Sequence, residues 1–268
     1  MDVNEGIERA AEVFRSTRRL VTFSGAGMSA ESGIPTFRDP GGIWDQFDPE
    51  EVGTGPGLLN TLTQMPDKIR GFVEETIRVF LQAEPNPGHL ALGTLEQVGV
   101  LRSVITQNVD NLHQEAGNTN VIEMHGNIFR QRCLACGAKK PFGREEYLGM
   151  IKTGLDQIKE FDLPSIVEIL PKCECGSPMR PDVVMFGEAV QGLYEAFQEA
   201  DDCDAMLVLG TSGVVYPAAA LPQKAKESGA TVIEINPGDS AYFGVADIRL
   251  QGKTGEILPR IVEKIQNA

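Results

Sequence analysis

Residues 20–38 read Leu-Val-Thr-Phe-Ser-Gly-Ala-Gly-Met-Ser-Ala-Glu-Ser-Gly-Ile-Pro-Thr-Phe-Arg. The apolar run Leu20–Phe23 is short enough to be a buried strand, and a turn of small residues follows it from Gly25. The run Gly25–Ala30 fits the Gly-x-Gly-x-x-Gly/Ala pattern of dinucleotide-binding folds. In those folds the absent side chains let backbone N–H groups and a helix N-terminus approach a pyrophosphate. Small-residue turns also follow strands that bind no ligand, so the pattern alone is compatible with either.

Three further apolar runs have the same form, a short buried strand followed by polar or glycine residues. They are Leu101–Ile105 before Thr106-Gln107-Asn108, Ala205–Leu209 before Gly210-Thr211-Ser212, and Thr231–Ile235 before Asn236-Pro237-Gly238. Apolar residues at helical spacing predict helices over Glu5–Ser16, Gly88–Val98 and Gly255–Ile265. This alternation predicts an α/β fold, a Rossmann-like parallel sheet flanked by helices, with ligands at the carboxyl ends of the strands.

The cysteines predict a metal site. Four of the five stand in two close pairs, Cys133 with Cys136 and Cys173 with Cys175, while Cys203 is alone. In a reducing compartment such pairs are typical of metal binding. Four thiolates suit one tetrahedral zinc ion, and a site with all four positions filled has no room to activate water, so the zinc is expected to be structural.

The cysteine pairs also predict how the chain is divided. We expect residues 130–182 to form an inserted zinc module, with a helical segment over Arg144–Leu170. The larger dinucleotide-binding domain then consists of residues 1–129 and 183–268.

Charge limits the partners. The net charge is −14 and the pI is about 4.7, which argues against DNA or an anionic membrane as a direct partner. No apolar signal core stands in Met1–Glu12, and no run approaches the roughly 20 apolar residues of a membrane helix. The expected compartment is the cytoplasm, or the nucleus in a eukaryote, and the sequence predicts no oligomeric state.

Several polar residues each have two interpretations. Asn108 and Asp110 follow a predicted strand, where they can hold ribose hydroxyls or position a water, or cap the next helix. His125 precedes a glycine and suits general base chemistry, although single histidines are often structural. Arg38 can meet a phosphate or form a surface salt bridge. His89 and His113 are expected at helix starts or on packing faces.

Taken together, the motifs resemble those of the sirtuins, in their bacterial, archaeal or desuccinylase-like branch. The matching stretches occur in the family's order from about residue 20 to residue 255. They are the run 25–38, Thr106-Gln-Asn-Val-Asp-Asn-Leu-His113, His125-Gly126, the two cysteine pairs, Arg180–Glu188 and Gly210-Thr211-Ser212.

The resemblance implies an NAD-dependent protein-lysine deacylase of the transferase class, which releases nicotinamide and O-acyl-ADP-ribose. It implies that His125 and Asn108 are catalytic and that the partner is an acyl-lysine protein or peptide. The implied NAD-binding residues are Gly25, Ala26, Gly27, Ser29, Ala30, Glu31, Thr36, Phe37, Arg38, Trp44, Gln107, Asn108, Asp110, Gly210, Thr211, Ser212, Asn236 and Thr254. The implied peptide-binding residues are Val184, Phe186, Gly187, Glu188, Val214 and Val215.

The resemblance also predicts the acyl preference. Members that prefer succinyl or malonyl groups have a Tyr-x-x-Arg pair before the Pro-Asn-x-x-His segment. The equivalent stretch here, Phe72–Arg78, contains no tyrosine, and Glu74 and Glu75 would repel an acidic acyl group. We therefore expect activity on acetyl or other neutral acyl groups, with Arg78 as the one candidate for an acidic preference.

The sequence is compatible with three alternatives, each with a feature against it. A sirtuin-like protein ADP-ribosyltransferase is disfavoured because Asn108 and His125 are both present. A non-catalytic sensor of NAD or O-acyl-ADP-ribose is disfavoured by the complete catalytic set. A nucleic-acid zinc ribbon fails because acidic residues offset the basic ones throughout the cysteine-bearing segment.

Overall fold

A computed structural model describes residues 2–242 and 244–267. The chain forms two compact units. The large unit contains Met1–Ser32, Glu84–His125 and Val190–Ala268, and the small unit contains Gly33–Ala83 and Gly126–Ala189. No helix in the described part of the chain combines the length and apolar character needed to cross a membrane.

The strands are β1 Leu20–Ser24, β2 Leu101–Thr106, β3 Val121–Glu123, β4 Gly126–Cys133, β5 Lys139–Pro141, β6 Met179–Val183, β7 Ala205–Leu209, β8 Thr231–Asn236 and β9 Ile248–Gln251. The α-helices are α1 Val3–Ser16, α2 Ile43–Gln46, α3 Pro49–Val52, α4 Gly55–Gln64, α5 Pro66–Gln82, α6 Pro87–Gln97, α7 Leu112–Glu115, α8 Arg144–Gln157, α9 Leu163–Ile169, α10 Leu193–Asp202, α11 Leu221–Glu227 and α12 Thr254–Gln266. Short 3₁₀ turns occur at Ala26–Met28, Ala30–Ser32 and Ala218–Ala220.

The large unit is built on a parallel sheet in the order β3-β2-β1-β7-β8-β9. This is the order of the dinucleotide-binding doubly wound fold, and it reverses between β1 and β7. Ser24 is level with Thr106 on one side and with Leu209 on the other, so three central strands end at one edge. The predicted α/β fold class is confirmed.

Both faces of this sheet are buried, because β1 and β7 consist of residues that are buried throughout. One face packs on α1, α6 and α12 through a core that includes Phe14, Leu92 and Leu258. The other face packs on α10 and α11 through a core that includes Phe23 and Val232. Helices on both faces explain why the central strands are continuous apolar runs.

The small unit contains an antiparallel sheet in the order β5-β4-β6. Its boundaries are wider than the predicted insertion at residues 130–182, because residues 33–83 belong to the same compact unit. Helix α5 shows the reason: Phe80 packs against Phe129 with ring centroids 6.2 Å apart, and Arg144 Nη1 donates to the Phe80 carbonyl at 2.6 Å. The helical segment predicted within the insertion is confirmed as α8 and α9.

Candidate active site

The residues that follow the strands of the large unit meet at one edge of the sheet. Gly25 comes directly after β1, Gln107 after β2 and Gly210 after β7, while Asn236 is the last residue of β8. The strand order reverses between β1 and β7. Doubly wound sheets bind their ligands at such a switch point.

The glycine turn after β1 packs directly on the turn after β7. The Gly27 N–H donates to the Gly210 carbonyl at 2.8 Å. A Cβ at Gly27 would lie 2.8 Å from Gly210 Cα, and Gly210 itself has a φ of +53°. The close approach of the two backbone turns therefore requires both glycines. The Gly-x-Gly pattern in the sequence explained Gly27 by phosphate binding and did not predict this packing of one turn on the other.

Ser29, Asn108 and Asp110 form a buried, hydrogen-bonded group beside the glycine turn. Asn108 Nδ2 donates to the Gly25 carbonyl at 3.1 Å and to Ser29 Oγ at 3.0 Å. Ser29 Oγ donates to Asp110 Oδ2 at 2.7 Å, and Asp110 Oδ1 accepts the Leu112 N–H at 2.9 Å. The capping role that was one interpretation of Asp110 is therefore present at the beginning of α7.

Thr211 is hydrogen-bonded to residues at the carboxyl ends of two other strands, β2 and β8. Its Oγ accepts a hydrogen bond from Gln107 Nε2 at 3.0 Å, and its carbonyl accepts one from Asn236 Nδ2 at 3.1 Å. The structure thus brings these three predicted cofactor residues together, with Ser212 exposed next to them. The same segment continues into two of the predicted peptide residues, Val214 and Val215.

His125 follows β3, and its Nδ1 lies 3.0 Å from the Gln107 carbonyl oxygen. A carbonyl oxygen only accepts hydrogen bonds, so Nδ1 carries a proton, and in the neutral ring Nε2 then presents a lone pair. Burial lowers the pKa of His125 below its ordinary value, although the hydrogen bond to Gln107 acts in the opposite direction. The imidazole is therefore neutral at pH 7, the state in which Nε2 accepts a proton.

The other two histidines are buried in helices, as expected for packing residues. His89 and Asn86 cap the beginning of α6 reciprocally, and His113 Nε2 lies 2.9 Å from Ser24 Oγ. The two imidazole rings meet edge to face with centroids 5.0 Å apart. Burial, assisted by His113, lowers the pKa of His89 to about 2, and burial lowers the pKa of His113 to about 4. Both rings are therefore neutral.

Two predicted cofactor residues lie at the beginning of α12. Glu31 Oε2 accepts the Gly255 N–H at 2.7 Å. A carboxylate at this position is stabilised by the positive end of the helix dipole. Thr254, the first residue of the helix, is buried. The Glu31 side chain therefore acts within the protein as a helix cap, a role that the sequence did not predict.

In the small unit, four predicted cofactor residues lie in one closed loop: Thr36, Phe37, Arg38 and Trp44. The Ile43 N–H donates to the Thr36 carbonyl at 2.9 Å, and the Trp44 N–H donates to the Phe37 carbonyl at 3.0 Å. The Phe37 and Trp44 ring centroids are 5.2 Å apart. Arg38 is exposed in this loop and forms no ion pair with any residue that the structure describes, so the surface salt bridge is absent there.

The segment after β6 contains the remaining predicted peptide residues, Val184, Phe186, Gly187 and Glu188. The Phe186 N–H donates to the Gly53 carbonyl at 2.8 Å, while its ring is exposed. The Glu188 carboxylate accepts hydrogen bonds from Arg180 Nη2 at 2.5 Å and from the Met185 N–H at 3.1 Å. The Glu188 side chain therefore holds the turn itself.

The four predicted metal ligands lie together, and their sulfur atoms are all within 4.8 Å of one another: Cys133, Cys136, Cys173 and Cys175. Two Sγ–Sγ distances are 3.5 and 3.6 Å, much longer than a disulfide bond. Zn–S bonds of about 2.3 Å in a tetrahedron place sulfur atoms about 3.8 Å apart, close to these values. The site fits one zinc ion with four protein ligands, which is a structural arrangement.

Some residues that support this site were missed in the sequence. The Ser24 and Thr106 hydroxyls are hydrogen-bonded at 2.9 Å inside the large unit, and neither residue type stood out in its strand. Glu234 and Tyr242 are also buried in the large unit, behind the segment Thr211–Val215. A signal was present for Glu234, because an acidic residue is unusual within an apolar strand.

The strand order and the glycine turn at the switch point define an α/β dinucleotide-binding protein, here combined with a four-cysteine zinc module. The sequence model of the Sir2 family matches residues 25–217, a range that includes His125 and all four clustered cysteines. The chain belongs to the Sir2 family, and the resemblance inferred from the motifs is confirmed.

Relatives and solved structures agree with this membership. The NAD-dependent protein deacylase of Desulfosudis oleivorans is 54% identical over 267 residues, covering 99% of this chain and 98% of that protein. The protein of the same name in Pyrococcus abyssi is 46% identical, with 97% and 98% covered. The crystal structure of a Sir2 homologue–NAD complex has a TM-score of 0.78 at 36% identity, covering 97% of this chain and 94% of that one. A structure of Sir2 with a p53 peptide and NAD+ has a TM-score of 0.77 at 32% identity, with 98% and 99% covered.

Proposed function

We propose that this protein is an NAD-dependent protein-lysine deacylase. It converts acyl-lysine, NAD and water into lysine, nicotinamide and O-acyl-ADP-ribose. Support comes from the Sir2 family match and from relatives named NAD-dependent protein deacylase that align over almost their whole length. The structural observation that carries the proposal is the 3.0 Å contact between His125 Nδ1 and the Gln107 carbonyl oxygen, which leaves Nε2 to act as the base in the neutral ring.

His125 is the general base in this proposal. The hydrogen bond from Nδ1 to the Gln107 carbonyl sets both the tautomer and the ring orientation, and Nε2 accepts the proton of a ribose hydroxyl. The lowered pKa keeps the ring in its base form at pH 7. Asn108 is the second catalytic residue: its amide nitrogen is held by Gly25 and Ser29, and its oxygen is assigned to a ribose hydroxyl.

NAD supplies the ribose carbon that receives the acyl oxygen when nicotinamide leaves. The large unit binds it through three groups of residues: Gly25, Ala26, Gly27, Ser29, Ala30 and Glu31 of the glycine turn; Gln107, Asn108 and Asp110; and Gly210, Thr211 and Ser212 with Asn236 and Thr254. In the small unit, Thr36, Phe37, Arg38 and Trp44 contribute, with the Arg38 guanidinium as the partner of a phosphate. We keep residues 130–182 as the zinc module and assign no catalytic step to the metal.

The peptide is bound mainly through its backbone, as an added strand. The residues assigned to this role are Val184, Phe186, Gly187 and Glu188 in the small unit, and Val214 and Val215 in the large unit. For Glu188 the assignment concerns the backbone, because its carboxylate is bonded to Arg180 and Met185. The substrate is an acyl-lysine protein or peptide.

Neutral acyl groups are the proposed substrates, acetyl above all. Arg78 in α5 donates to both carboxylate oxygens of Glu75, at 2.8 and 2.5 Å, and Arg70 donates to Glu74 at 2.8 Å. Arg78, the one candidate for an acidic acyl preference, therefore already has a carboxylate partner. For the compartment we propose the cytoplasm, because four free zinc-binding thiols suit a reducing environment.

The test is to incubate the protein with an acetyl-lysine peptide, with and without NAD, and to follow the products by mass spectrometry. We expect NAD-dependent loss of the acetyl group together with nicotinamide and O-acetyl-ADP-ribose, and weaker turnover of a succinyl-lysine peptide. His125→Ala should lose deacylation while keeping its thermal transition. ADP-ribose attached to protein would instead support the transferase alternative, and NAD binding without turnover of any acyl peptide would support a sensor.

A further inference from the structure

The segment Thr211–Val215 carries residues assigned to both substrates in the proposed function. Thr211 and Ser212 belong to the cofactor set, and Val214 and Val215 belong to the peptide set. A change in the conformation of this one segment would therefore affect both binding steps. A short turn after β8, residues Ser240–Tyr242, packs against this segment.

The turn contacts the segment directly through backbone and ring. The Ala241 N–H donates to the Ser212 carbonyl at 3.1 Å. A Cβ at Gly213, whose φ is +73°, would lie 2.9 Å from atoms of the Tyr242 ring, so the ring packs tightly against the segment's backbone. The Tyr242 hydroxyl donates to the Ala219 carbonyl at 3.2 Å, just beyond the segment.

The Ser240–Tyr242 turn is itself held by the buried carboxylate of Glu234. Glu234 lies in β8 and is 1% exposed, directly across from Arg249 in the neighbouring strand. One carboxylate oxygen accepts a hydrogen bond from Arg249 Nε at 2.9 Å, and the other accepts one from Ser240 Oγ. Ser240 Oγ also accepts the Tyr242 N–H at 3.1 Å. A buried carboxylate is costly unless it is paired in this way, and here the pairing determines where the turn lies.

We infer that Glu234 and Tyr242 are positioning residues for the proposed reaction: through the Ser240–Tyr242 turn, they hold Thr211–Val215 in the conformation that binds both NAD and the acyl peptide. Neither side chain is assigned a substrate contact. The inference rests on the proposed function for its kinetic consequence, whereas the ordering of the segment can be measured without it.

The experiment compares Tyr242→Phe, Glu234→Gln and Ser240→Ala with a matched control, Ser103→Ala. Phenylalanine keeps the ring and removes the hydrogen bond to Ala219, while glutamine keeps the size of Glu234 but removes its charge and replaces one acceptor oxygen with an NH2 group. Ser103 is also buried in the large unit, and its hydroxyl donates to Glu199 at 2.8 Å, a partner in α10 and not in the segment or the turn. Each variant is assayed for kcat and for the KM of both substrates, and for amide hydrogen exchange over residues 211–216.

We expect Tyr242→Phe, Glu234→Gln and Ser240→Ala each to raise the KM for NAD and the KM for the acetyl peptide. The rise should be about three- to tenfold, the effect of one lost hydrogen bond. The kcat should stay within about twofold, and exchange over residues 211–216 should become faster. Ser103→Ala should change neither KM nor this exchange. Glu234→Gln combined with Ser240→Ala should have no greater effect than the stronger single variant, because both break the same link.

Two results would overturn the inference: unchanged exchange over residues 211–216 in Tyr242→Phe, or an equal rise in both KM values in Ser103→Ala. A wild-type protein that deacylates no acyl-lysine peptide would instead overturn the proposed function. The exchange comparison between Tyr242→Phe and Ser103→Ala would still decide whether Tyr242 orders the segment. If Glu234→Gln fails to fold, the comparison of Tyr242→Phe with Ser103→Ala is sufficient to test the inference.

Discussion

Gln107 influences the proposed base and the cofactor segment through different atoms. Its carbonyl fixes Nδ1–H of His125, and its side-chain amide bonds Thr211. For His125 itself, burial lowers the pKa and the Gln107 carbonyl raises it, with burial dominant. An exposed histidine has a pKa near 6.5, so at neutral pH His125 is more completely in its base form than an exposed histidine would be.

This predicts the pH dependence of the reaction. A lower pKa means that the ring is protonated only at lower pH, so kcat/KM for an acetyl-lysine peptide should be constant from about pH 7 upward. The acid limb should have its midpoint below the ordinary histidine value of about 6.5. Initial rates between pH 5 and 8.5 measure it, with NAD affinity followed in parallel. A midpoint at or above that value would contradict the assignment.

The strands of the small unit place like charges next to one another. Arg132 in β4 is opposite Lys139 in β5 and Arg180 in β6, an arrangement that is unfavourable without counter-charges. Asp182, fully buried in β6, supplies one: its carboxylate lies 2.7 Å from Arg130 Nε and 2.8 Å from Lys139 Nζ. Burial acts to raise the pKa of Asp182, but Lys139 and Arg130 outweigh it, and the net pKa is lowered.

Asp182→Asn should destabilise the small unit by about 1.5–3 kcal/mol, because it removes the buried negative charge that pairs with the partly exposed cations Arg130 and Lys139. Guanidinium unfolding followed by the fluorescence of Trp44, the single tryptophan, reports on this unit. Asp156→Asn is the control, since Asp156 is exposed on α8 of the same unit and should change the transition little. Equal transitions for the two variants would refute a stabilising role for the Asp182 ion pairs.

At the scale of the whole molecule, the zinc site joins parts of the chain that are distant in sequence. Cys133 ends β4, Cys136 follows it closely, and Cys173 and Cys175 come after α9. A metal bound by all four closes a loop that contains α8 and α9. Because such a site is absent from the unfolded chain, its binding free energy contributes directly to folding.

We expect one zinc ion per chain by elemental analysis. Removing it with a strong chelator should lower the thermal transition seen by Trp44 fluorescence by about 10 °C or more. Cys136→Ser should reproduce the loss of metal, whereas Cys203→Ser should keep it, because Cys203 is buried in the large unit away from the cluster. Retention of zinc by Cys136→Ser would show that the metal is not held by these four ligands.

Some structure could be predicted because it depends on local patterns. The strand Ala205–Leu209 has its predicted bounds, and three other predicted strands extend by only one residue at the carboxyl end. A buried strand needs a continuous apolar run, and the turn after it needs glycine or short polar residues, so both leave a signal in neighbouring positions. Strand β3 at the edge of the sheet was missed because it is only three residues long and half-buried.

By itself the sequence determined the α/β class, the turns that follow the central strands, the four-cysteine cluster and the family. Only the tertiary structure decided that residues 33–83 share a compact unit with residues 126–189, that Glu31 caps α12, and that Glu234 supports the Thr211 segment through Ser240. The physical reason is range. Periodicity and turn chemistry act between residues a few positions apart, whereas the packing of whole elements selects side-chain partners separated by a hundred residues or more, as for Glu31 and Gly255.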